Sequence, residues 1–177
     1  MIIRFSGLGG QGIIKASYLL GEAAIMDGKN ALQTQAYGSE SRGGESRGEV
    51  IIEDGEIYEL EPTQSDVLIA MSQSAYEKFI PLLKEGGTLV IDSDLVKRDE
   101  SKEPNGIKAF SIPSTTIAHK KIGEKMSANM VMIGFTNEHL GIVSKESLEA
   151  AIKKNIPKGS EEFNLRAFEE GMRLALE

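Results

Sequence analysis

The sequence contains no cysteine and only two histidines among its 177 residues. The absence of thiols excludes disulfides, thiolate metal sites, a cysteine nucleophile and cysteine-bound iron–sulfur clusters from this chain. Neither His119 nor His139 has a nucleophile or a metal ligand at a suitable spacing, so we expect both on the surface or at helix caps. Because no acid–base pair is evident either, the sequence predicts no catalytic residue and no metal ligand.

Long hydrophobic runs are also missing, since none approaches the roughly 20 residues that a membrane helix requires. The N-terminus enters a strand pattern at once and shows no signal-peptide pattern. Together with the lack of cysteine, these features predict a cytoplasmic protein that does not engage a membrane. The length suits one domain with an apolar core, so we expect a single domain over residues 1–177.

Basic side chains are fewer than acidic ones, 20 against 27, which gives a formal net charge of −7. This balance argues against a general nucleic-acid-binding protein. Residues 1–48 hold five basic and four acidic side chains, whereas residues 49–177 hold fifteen basic and twenty-three acidic ones. The first quarter of the chain is therefore the part best suited to an anionic ligand, although a solvated acidic surface explains the remainder equally well.

Apolar patterning predicts alternating strands and helices. The predicted strands cover residues 2–5, 31–35, 50–52, 66–71, 88–92 and 107–112. The predicted helices cover residues 13–26, 72 to about 84, 128–140, 144–155 and 161–176. Between them we expect a loop over residues 36–48 and a hairpin near residues 50–58. This order predicts a three-layer Rossmann-like α/β domain with a mostly parallel sheet and an antiparallel hairpin.

A glycine-rich loop, Gly7-Leu8-Gly9-Gly10-Gln11-Gly12, lies between the first predicted strand and helix. Glycines at this place let backbone N–H groups approach a phosphate at a helix N-terminus. Tight strand–helix packing without a ligand explains the pattern equally well. A dinucleotide site further requires an acid at the end of the second strand, but residues 31–35 contain none. A P-loop lysine is missing too, since Lys15 lies three residues beyond Gly12.

A second glycine-rich loop covers residues 37–45 and includes Arg42, Gly43 and Gly44. The planar guanidinium of Arg42 is suited to bind a phosphate, a carboxylate or a partner chain. The alternative is a mobile surface turn, since glycine and serine are common in loops. Both glycine-rich loops follow predicted strands, so both are expected at the carboxyl-end rim of the sheet.

Taken together, these segments resemble the gamma subunit of 2-oxoacid:ferredoxin oxidoreductases, most closely the 2-oxoglutarate type. The resemblance covers essentially the whole chain, in order. Besides the two glycine-rich loops, the matching residues are Asp66-Val67-Leu68-Ile69-Ala70, Gln73, Ala128-Asn129-Met130-Val131, Asn164, Ala167, Phe168 and Gly171.

The resemblance implies a subunit of an enzyme that converts a 2-oxoacid and coenzyme A to acyl-CoA, carbon dioxide and reduced ferredoxin. It implies thiamine diphosphate on alpha and beta partner subunits and iron–sulfur clusters on cysteine-bearing partners, including a ferredoxin-like delta subunit. For the isolated chain it allows a homodimer and no activity of its own.

We therefore predict that this chain helps to form the coenzyme A site and a subunit interface. The candidate ligand-binding residues are Gly7, Gly9, Gly10, Gln11, Gly12, Arg42, Gly43 and Gly44. The first loop is expected to hold phosphates of coenzyme A, and Arg42 with its glycines is expected at the subunit interface near the active site.

Other interpretations stay open at this point. One is the beta subunit of indolepyruvate ferredoxin oxidoreductase, and another is a nucleotide-binding regulator that acts alone. A third is a structural adaptor whose glycine-rich loops are buried in protein contacts. Among substrates, 2-oxoglutarate is favoured by overall likeness, with branched-chain acids and pyruvate as alternatives.

Overall fold

The computed structural model describes residues 1–38 and 44–177, which form a six-stranded mixed sheet with helices on both faces. The strands are β1 (Ile2–Leu8), β2 (Asn30–Tyr37), β3 (Glu45–Glu53), β4 (Ser65–Ala70), β5 (Leu83–Asp92) and β6 (Lys108–Ile112). The helices are α1 (Ile13–Met26), α2 (Gln73–Phe79), α3 (Ser114–Thr116), α4 (Ala128–Leu140), α5 (Lys145–Asn155) and α6 (Glu161–Ala175).

The sheet has the strand order β2-β3-β1-β4-β5-β6. Strands β1, β4, β5 and β6 are parallel to one another. Strand β3 runs antiparallel to both β1 and β2, so β2 and β3 form a hairpin at one edge. The prediction of a mostly parallel sheet with an antiparallel hairpin is confirmed.

The central strands are buried on both faces, as near-continuous apolar runs require. On β4, Val67 and Ile69 pack with the core beneath α1, α4, α5 and α6. The alternating residues Leu68 and Ala70 pack on the opposite face, against α2. Two apolar layers separated by one sheet give the three-layer arrangement that the sequence predicts.

Two helices have the predicted bounds, because their sequences carry clear boundary signals. Helix α1 covers Ile13–Met26 and helix α4 covers Ala128–Leu140, which ends at Gly141 in the left-handed conformation (φ +60°). Ser144 is the N-cap of α5, where its hydroxyl accepts the Ser147 N–H at 3.2 Å.

The prediction of a helix to about residue 84 is wrong, because α2 ends at Phe79 and β5 begins at Leu83. Ser72 caps α2 as expected, accepting the Ala75 N–H at 3.2 Å. Pro81 follows in a short 3₁₀ turn, and a proline inside an α-helix removes a hydrogen bond and clashes with the preceding turn. The glycines expected to end this helix, Gly86 and Gly87, instead lie within β5.

The expected loop over residues 36–48 is shorter in the structure. The antiparallel hairpin, expected near residues 50–58, is formed by β2 and β3. Residues 45–48 belong to β3 and pair with β1 on one side and β2 on the other. Pairing on both sides overrides the weak strand preference of this Glu-Ser-Arg-Gly segment. Gly48 is required because a Cβ there would lie 2.2 Å from Ser17 Oγ of α1.

Helices α4 and α6 cross with their backbones in direct contact. A Cβ on Gly134 would lie 2.2 Å from the Phe168 carbonyl oxygen, and one on Gly171 would lie 2.1 Å from the Val131 carbonyl oxygen. Since neither helix accommodates even a methyl group there, the crossing depends on glycine from both partners. The helix α4 is consequently buried around its whole circumference over residues 128–137.

Asp27, at the end of α1, joins this helix to the start of α5. Its carboxylate accepts the Ser144 hydroxyl at 2.6 Å, the Ser144 N–H and the Ser147 hydroxyl. Burial acts to raise the pKa of Asp27, but these hydrogen bonds outweigh it and hold the pKa below its ordinary value. The ionised carboxylate thus fixes the position of α5 against α1.

Arg4 and Glu49 form a buried ion pair between β1 and β3, where the two residues face each other in register. Arg4 is 1% exposed and also donates to the carbonyls of Pro62 and Thr63, each at 3.2 Å. Its guanidinium carbon lies 5.2 Å from the centre of the Phe79 ring. These contacts anchor the segment after β3 over the α2 face of the sheet.

Within residues 1–38 and 44–177, no helix is long and apolar enough to cross a bilayer.

Removing one partner of the Arg4–Glu49 pair should destabilise the fold strongly. We expect Arg4→Met to lower the free energy of unfolding by about 3–5 kcal/mol, because buried Glu49 would keep only the longer contact with Arg47, at 3.9 Å. Replacing both residues, as Arg4→Met with Glu49→Leu, should cost much less. Guanidinium unfolding of the purified variants measures both quantities. A double variant as unstable as the single one would contradict this account.

Candidate functional site

At the carboxyl ends of the neighbouring strands β1 and β4, the chain continues to opposite faces of the sheet. The strands are parallel neighbours, yet α1 packs on one face and α2 on the other. In open α/β sheets such a reversal opens a crevice between the two connections, and ligands bind there. Residues 9–12 of the first glycine-rich loop, which follow β1, lie between these two strand ends.

A backbone hydrogen bond joins the two glycine-rich loops, since the Gly9 N–H donates to the Gly44 carbonyl at 2.8 Å. Within the first loop, the Gln11 N–H donates to the Leu8 carbonyl at 3.1 Å. Gly10 has φ +94° and Gly12 has φ +71°, a region that favours glycine. The turn therefore brings Gly44 against the loop that precedes α1.

The Gln11 side chain links the two strand ends. Its Oε1 accepts the Leu8 N–H at 2.6 Å, and its Nε2 donates to the Met71 carbonyl at 2.7 Å. A Cβ on Gly7 would lie 2.4 Å from Gln11 Oε1, so Gly7 makes room for this side chain. Since both ends of the carboxamide bind backbone, Gln11 acts in the structure by positioning the loop.

Asn129 fixes the start of α1 from the first turn of α4. Its Nδ2 donates to the Gly12 carbonyl at 3.0 Å, and the residue is 4% exposed. A Cβ on Gly12 would lie 2.3 Å from Asn129 Nδ2. Gly12 is thus explained by close packing, and Asn129 holds the N-cap of α1 through its Nδ2, while its buried Oδ1 has no hydrogen-bond partner among the described residues.

Gly10 differs from Gly7 and Gly12, because among the described residues only Gly10 itself and its two chain neighbours have atoms within 4 Å of the position where its Cβ would be. Packing therefore does not explain this glycine. Its left-handed conformation and the open space beside it leave the backbone accessible at the N-terminus of α1, where helix N–H groups favour anions.

The space beside Gly10 is a cleft of about 500 Å³. Gly10 and Gln11 line it from one side, and the apolar side chains of Leu8, Met71, Leu95 and Met126 contribute to its walls. Lys125 lines it as well. A cleft of this size accommodates part of a cofactor-sized ligand.

The predicted site residues therefore separate into three groups. Gly10 and Gln11 line the cleft, whereas Gly7 and Gly12 are required by packing. Gly9 and Gly44 join the two loops by a hydrogen bond. Arg42 and Gly43 lie outside the described residues.

The sheet topology also explains why the acidic residue that a dinucleotide site requires is missing from this sequence. In a dinucleotide-binding fold, the strand that carries the ribose-binding acid is parallel to β1 and beside it. Here β3 takes that place and runs antiparallel, so its beginning, not its end, reaches the rim at Glu45.

The two histidines lie on the surface, as expected. His119 is exposed, and the ring of His139 packs against Phe110 with ring centres 4.2 Å apart. Across residues 1–38 and 44–177, no group of three or more histidine, aspartate or glutamate side chains is arranged to hold a metal ion.

The cleft includes residues that sequence reasoning missed, namely Met71, Leu95, Lys125 and Met126. Met71 follows the apolar strand β4, and its place at the end of that strand is a signal that could have identified it. Lys125 and Met126 carry no local signal, because only the packing of α4 brings their segment to the cleft.

Comparison with known proteins gives a consistent result. The pyruvate ferredoxin/flavodoxin oxidoreductase family model matches residues 2–174. The 2-oxoglutarate synthase subunit KorC of Methanocaldococcus jannaschii is 47% identical over 99% of this chain and 94% of that protein.

Two solved structures share the fold over nearly the whole chain. The gamma subunit of keto/oxoacid ferredoxin oxidoreductase from Geobacter sulfurreducens has a TM-score of 0.86 and 42% identity, covering 99% of this chain and 98% of that one. The 2-oxoglutarate:ferredoxin oxidoreductase from Magnetococcus marinus, solved with 2-oxoglutarate, coenzyme A and succinyl-CoA bound, has a TM-score of 0.88 and 27% identity. That match covers 99% of this chain and 31% of the other.

These matches agree with the resemblance drawn from the two glycine-rich loops. The chain belongs to the pyruvate ferredoxin/flavodoxin oxidoreductase family and is a gamma-type subunit of a 2-oxoacid:ferredoxin oxidoreductase.

Proposed function

We propose that this subunit serves a 2-oxoglutarate:ferredoxin oxidoreductase and forms one wall of its coenzyme A site. The proposed substrate is supported by the 47% identity to a 2-oxoglutarate synthase subunit along almost the whole length of both chains. The proposed reaction converts 2-oxoglutarate and coenzyme A to succinyl-CoA and carbon dioxide and reduces ferredoxin.

The observation that carries the coenzyme A proposal is the open backbone at Gly10. Neighbouring atoms crowd Gly7 and Gly12, yet beside Gly10, two residues before the N-cap of α1, there is room for a ligand. Phosphates are bound well at such a place, since its N–H groups lack partners within the helix. The apolar side chains of the same cleft suit the pantetheine arm.

The redox and decarboxylation chemistry belongs, in this proposal, to partner subunits. The chain has no cysteine with which to hold an iron–sulfur cluster, and its cleft is lined by no acid among the described residues. Thiamine diphosphate would be held by the alpha and beta subunits and the clusters by a ferredoxin-like delta subunit. This chain would bind and orient coenzyme A, as a single domain over residues 1–177.

We further propose that Arg42, Gly43 and Gly44 lie at the subunit interface beside this cleft. The support is the hydrogen bond between Gly44 and Gly9, which holds the end of the second loop against the first. A guanidinium at an interface binds carboxylate groups of a partner chain through paired hydrogen bonds.

Substituting Gly10 tests the coenzyme A site. In the assembled enzyme, Gly10→Val should raise the KM for coenzyme A by about tenfold or more, a loss of about 1.4 kcal/mol or more, because the side chain enters the space proposed for the ligand. The KM for the 2-oxoacid should change little. Steady-state kinetics with each substrate varied in turn measures both constants.

Gly159→Val is the matched control for that substitution. Gly159 also has a left-handed φ (+98°) and open space around its Cβ position, but it lies between α5 and α6. The backbone strain is therefore similar in the two variants, but only Gly10→Val places a side chain at the cleft. An unchanged KM for coenzyme A in folded, assembled Gly10→Val would refute the proposed site.

The substrate is tested by turnover of the assembled enzyme with a panel of 2-oxoacids. We expect the highest kcat/KM with 2-oxoglutarate and lower values with pyruvate, 2-oxoisovalerate and indolepyruvate. Ferredoxin reduction, followed by absorbance, provides the rate for each acid. A preference for any of the other three acids would overturn the assignment.

Truncating Arg42 tests the interface. Arg42→Ala should weaken binding of this subunit to its partners by about thirtyfold or more, since losing one partner of a charged interfacial pair costs at least about 2 kcal/mol. Arg42→Lys should restore part of the affinity, because it keeps the charge and loses the paired hydrogen bonds. Sedimentation and turnover are both measured, and intact assembly together with intact turnover would exclude the role.

A further inference from the structure

Lys125 is the one charged side chain among the described residues that line the cleft beside Gly10. The side chains of Leu8, Met71, Leu95 and Met126 surround the same space and are apolar. The side chains of Gln11, Ser72, Gln73 and Thr115 add neutral polar groups to the lining. The cleft therefore carries positive charge at one place and is otherwise lined by neutral side chains.

The backbone that carries Lys125 is held firmly. The N–H groups of Gly123 and Glu124 both donate to the Ala118 carbonyl at 3.0 Å, and the Glu124 carboxylate accepts the Met126 N–H at 3.0 Å. Lys125 begins a short 3₁₀ turn that leads directly into α4. The lysine thus projects from a fixed base, while its own side chain is exposed.

The nearest carboxylate in sequence, that of Glu124, is occupied by capping this turn. Ion pairs formed among residues 1–38 and 44–177 do not include Lys125. Its ammonium group is therefore available to a ligand in the cleft.

Two separate parts of the chain favour an anion in this cleft. Gly10 and Gln11 line it directly before Gly12, the N-cap of the 14-residue helix α1, and Lys125 contributes a full charge from the segment before α4. Both favour an anion, and the apolar walls favour a ligand that also has aliphatic or aromatic parts. Coenzyme A combines phosphates, an adenine ring and an aliphatic arm.

We propose that the Lys125 ammonium group binds a phosphate of coenzyme A. The inference rests on the proposed coenzyme A site and adds a specificity-determining residue to it. The phosphate is either the 3′-phosphate of the ribose or the pyrophosphate, and both present the same chemistry to a lysine.

The test uses the assembled enzyme with Lys125→Ala, Lys125→Arg and, as the matched control, Lys120→Ala. Lys120 is an exposed lysine on the π-helical turn Ile117–Ile122, which follows α3, and it does not line the cleft. Isothermal titration with coenzyme A, in the absence of 2-oxoacid, gives Kd directly. Size-exclusion chromatography establishes that each variant assembles.

We expect Lys125→Ala to raise the Kd and the KM for coenzyme A by about tenfold to a hundredfold, with kcat unchanged at saturation. The Lys125→Arg variant should retain most of the affinity, and Lys120→Ala should behave as the wild type. The salt dependence of binding should become less steep in Lys125→Ala, because one ionic contact is lost.

Dephospho-coenzyme A, which lacks the 3′-phosphate, identifies the group that is bound. If Lys125→Ala weakens coenzyme A but not dephospho-coenzyme A, the lysine binds the 3′-phosphate. If it weakens both ligands equally, the lysine binds the pyrophosphate. Either result supports the proposal.

An unchanged Kd for coenzyme A in Lys125→Ala would overturn the proposal, and so would a variant that fails to assemble while the isolated subunit stays folded, since the lysine would then contact a partner chain. The Gly10→Val variant separates this failure from failure of the proposed function. If Gly10→Val weakens coenzyme A binding and Lys125→Ala does not, the site stands and only the role of Lys125 is wrong.

Discussion

The carboxamide of Gln11 is the constraint on which the geometry of the cleft depends. By accepting the Leu8 N–H and donating to the Met71 carbonyl, it joins two strand ends from which the chain departs toward opposite faces of the sheet. Gly7 gives this side chain its space. Because these groups form one bonded unit, the protein's own contacts fix the position of the loop at Gly10 beside the cleft.

Much of the fold could be predicted from the sequence, because local signals and tertiary packing agree there. Helix α1 is periodic and α4 ends at a glycine, so their bounds are as predicted. The exceptions lie where tertiary contacts prevail over local preference. Residues 45–48 have the composition of a loop and become strand because strands flank them on both sides. The glycines at 86 and 87 resemble a helix end and lie within β5.

The candidate site could be predicted only in part, for a related reason. A glycine-rich loop after a strand can be recognised in the sequence. Few other residue types adopt a positive φ or let the backbone approach a neighbouring group so closely. Nothing in the sequence distinguishes the glycines that serve packing, such as Gly12 against Asn129, from Gly10, which faces open space. Lys125 has no local signal at all, because its place in the cleft arises from the packing of a distant segment.

The crossing of α4 and α6 has a consequence for the order in which the chain acquires its structure. Helix α4 is mostly apolar and buried on all sides over residues 128–137, and α6, which touches its backbone at Gly134 and Gly171, follows it only after α5. During synthesis on the ribosome, α4 therefore emerges before the helix that covers it. Until α6 arrives, a nascent chain exposes that apolar helix, and this is the interval in which it is most prone to aggregate or to require a chaperone.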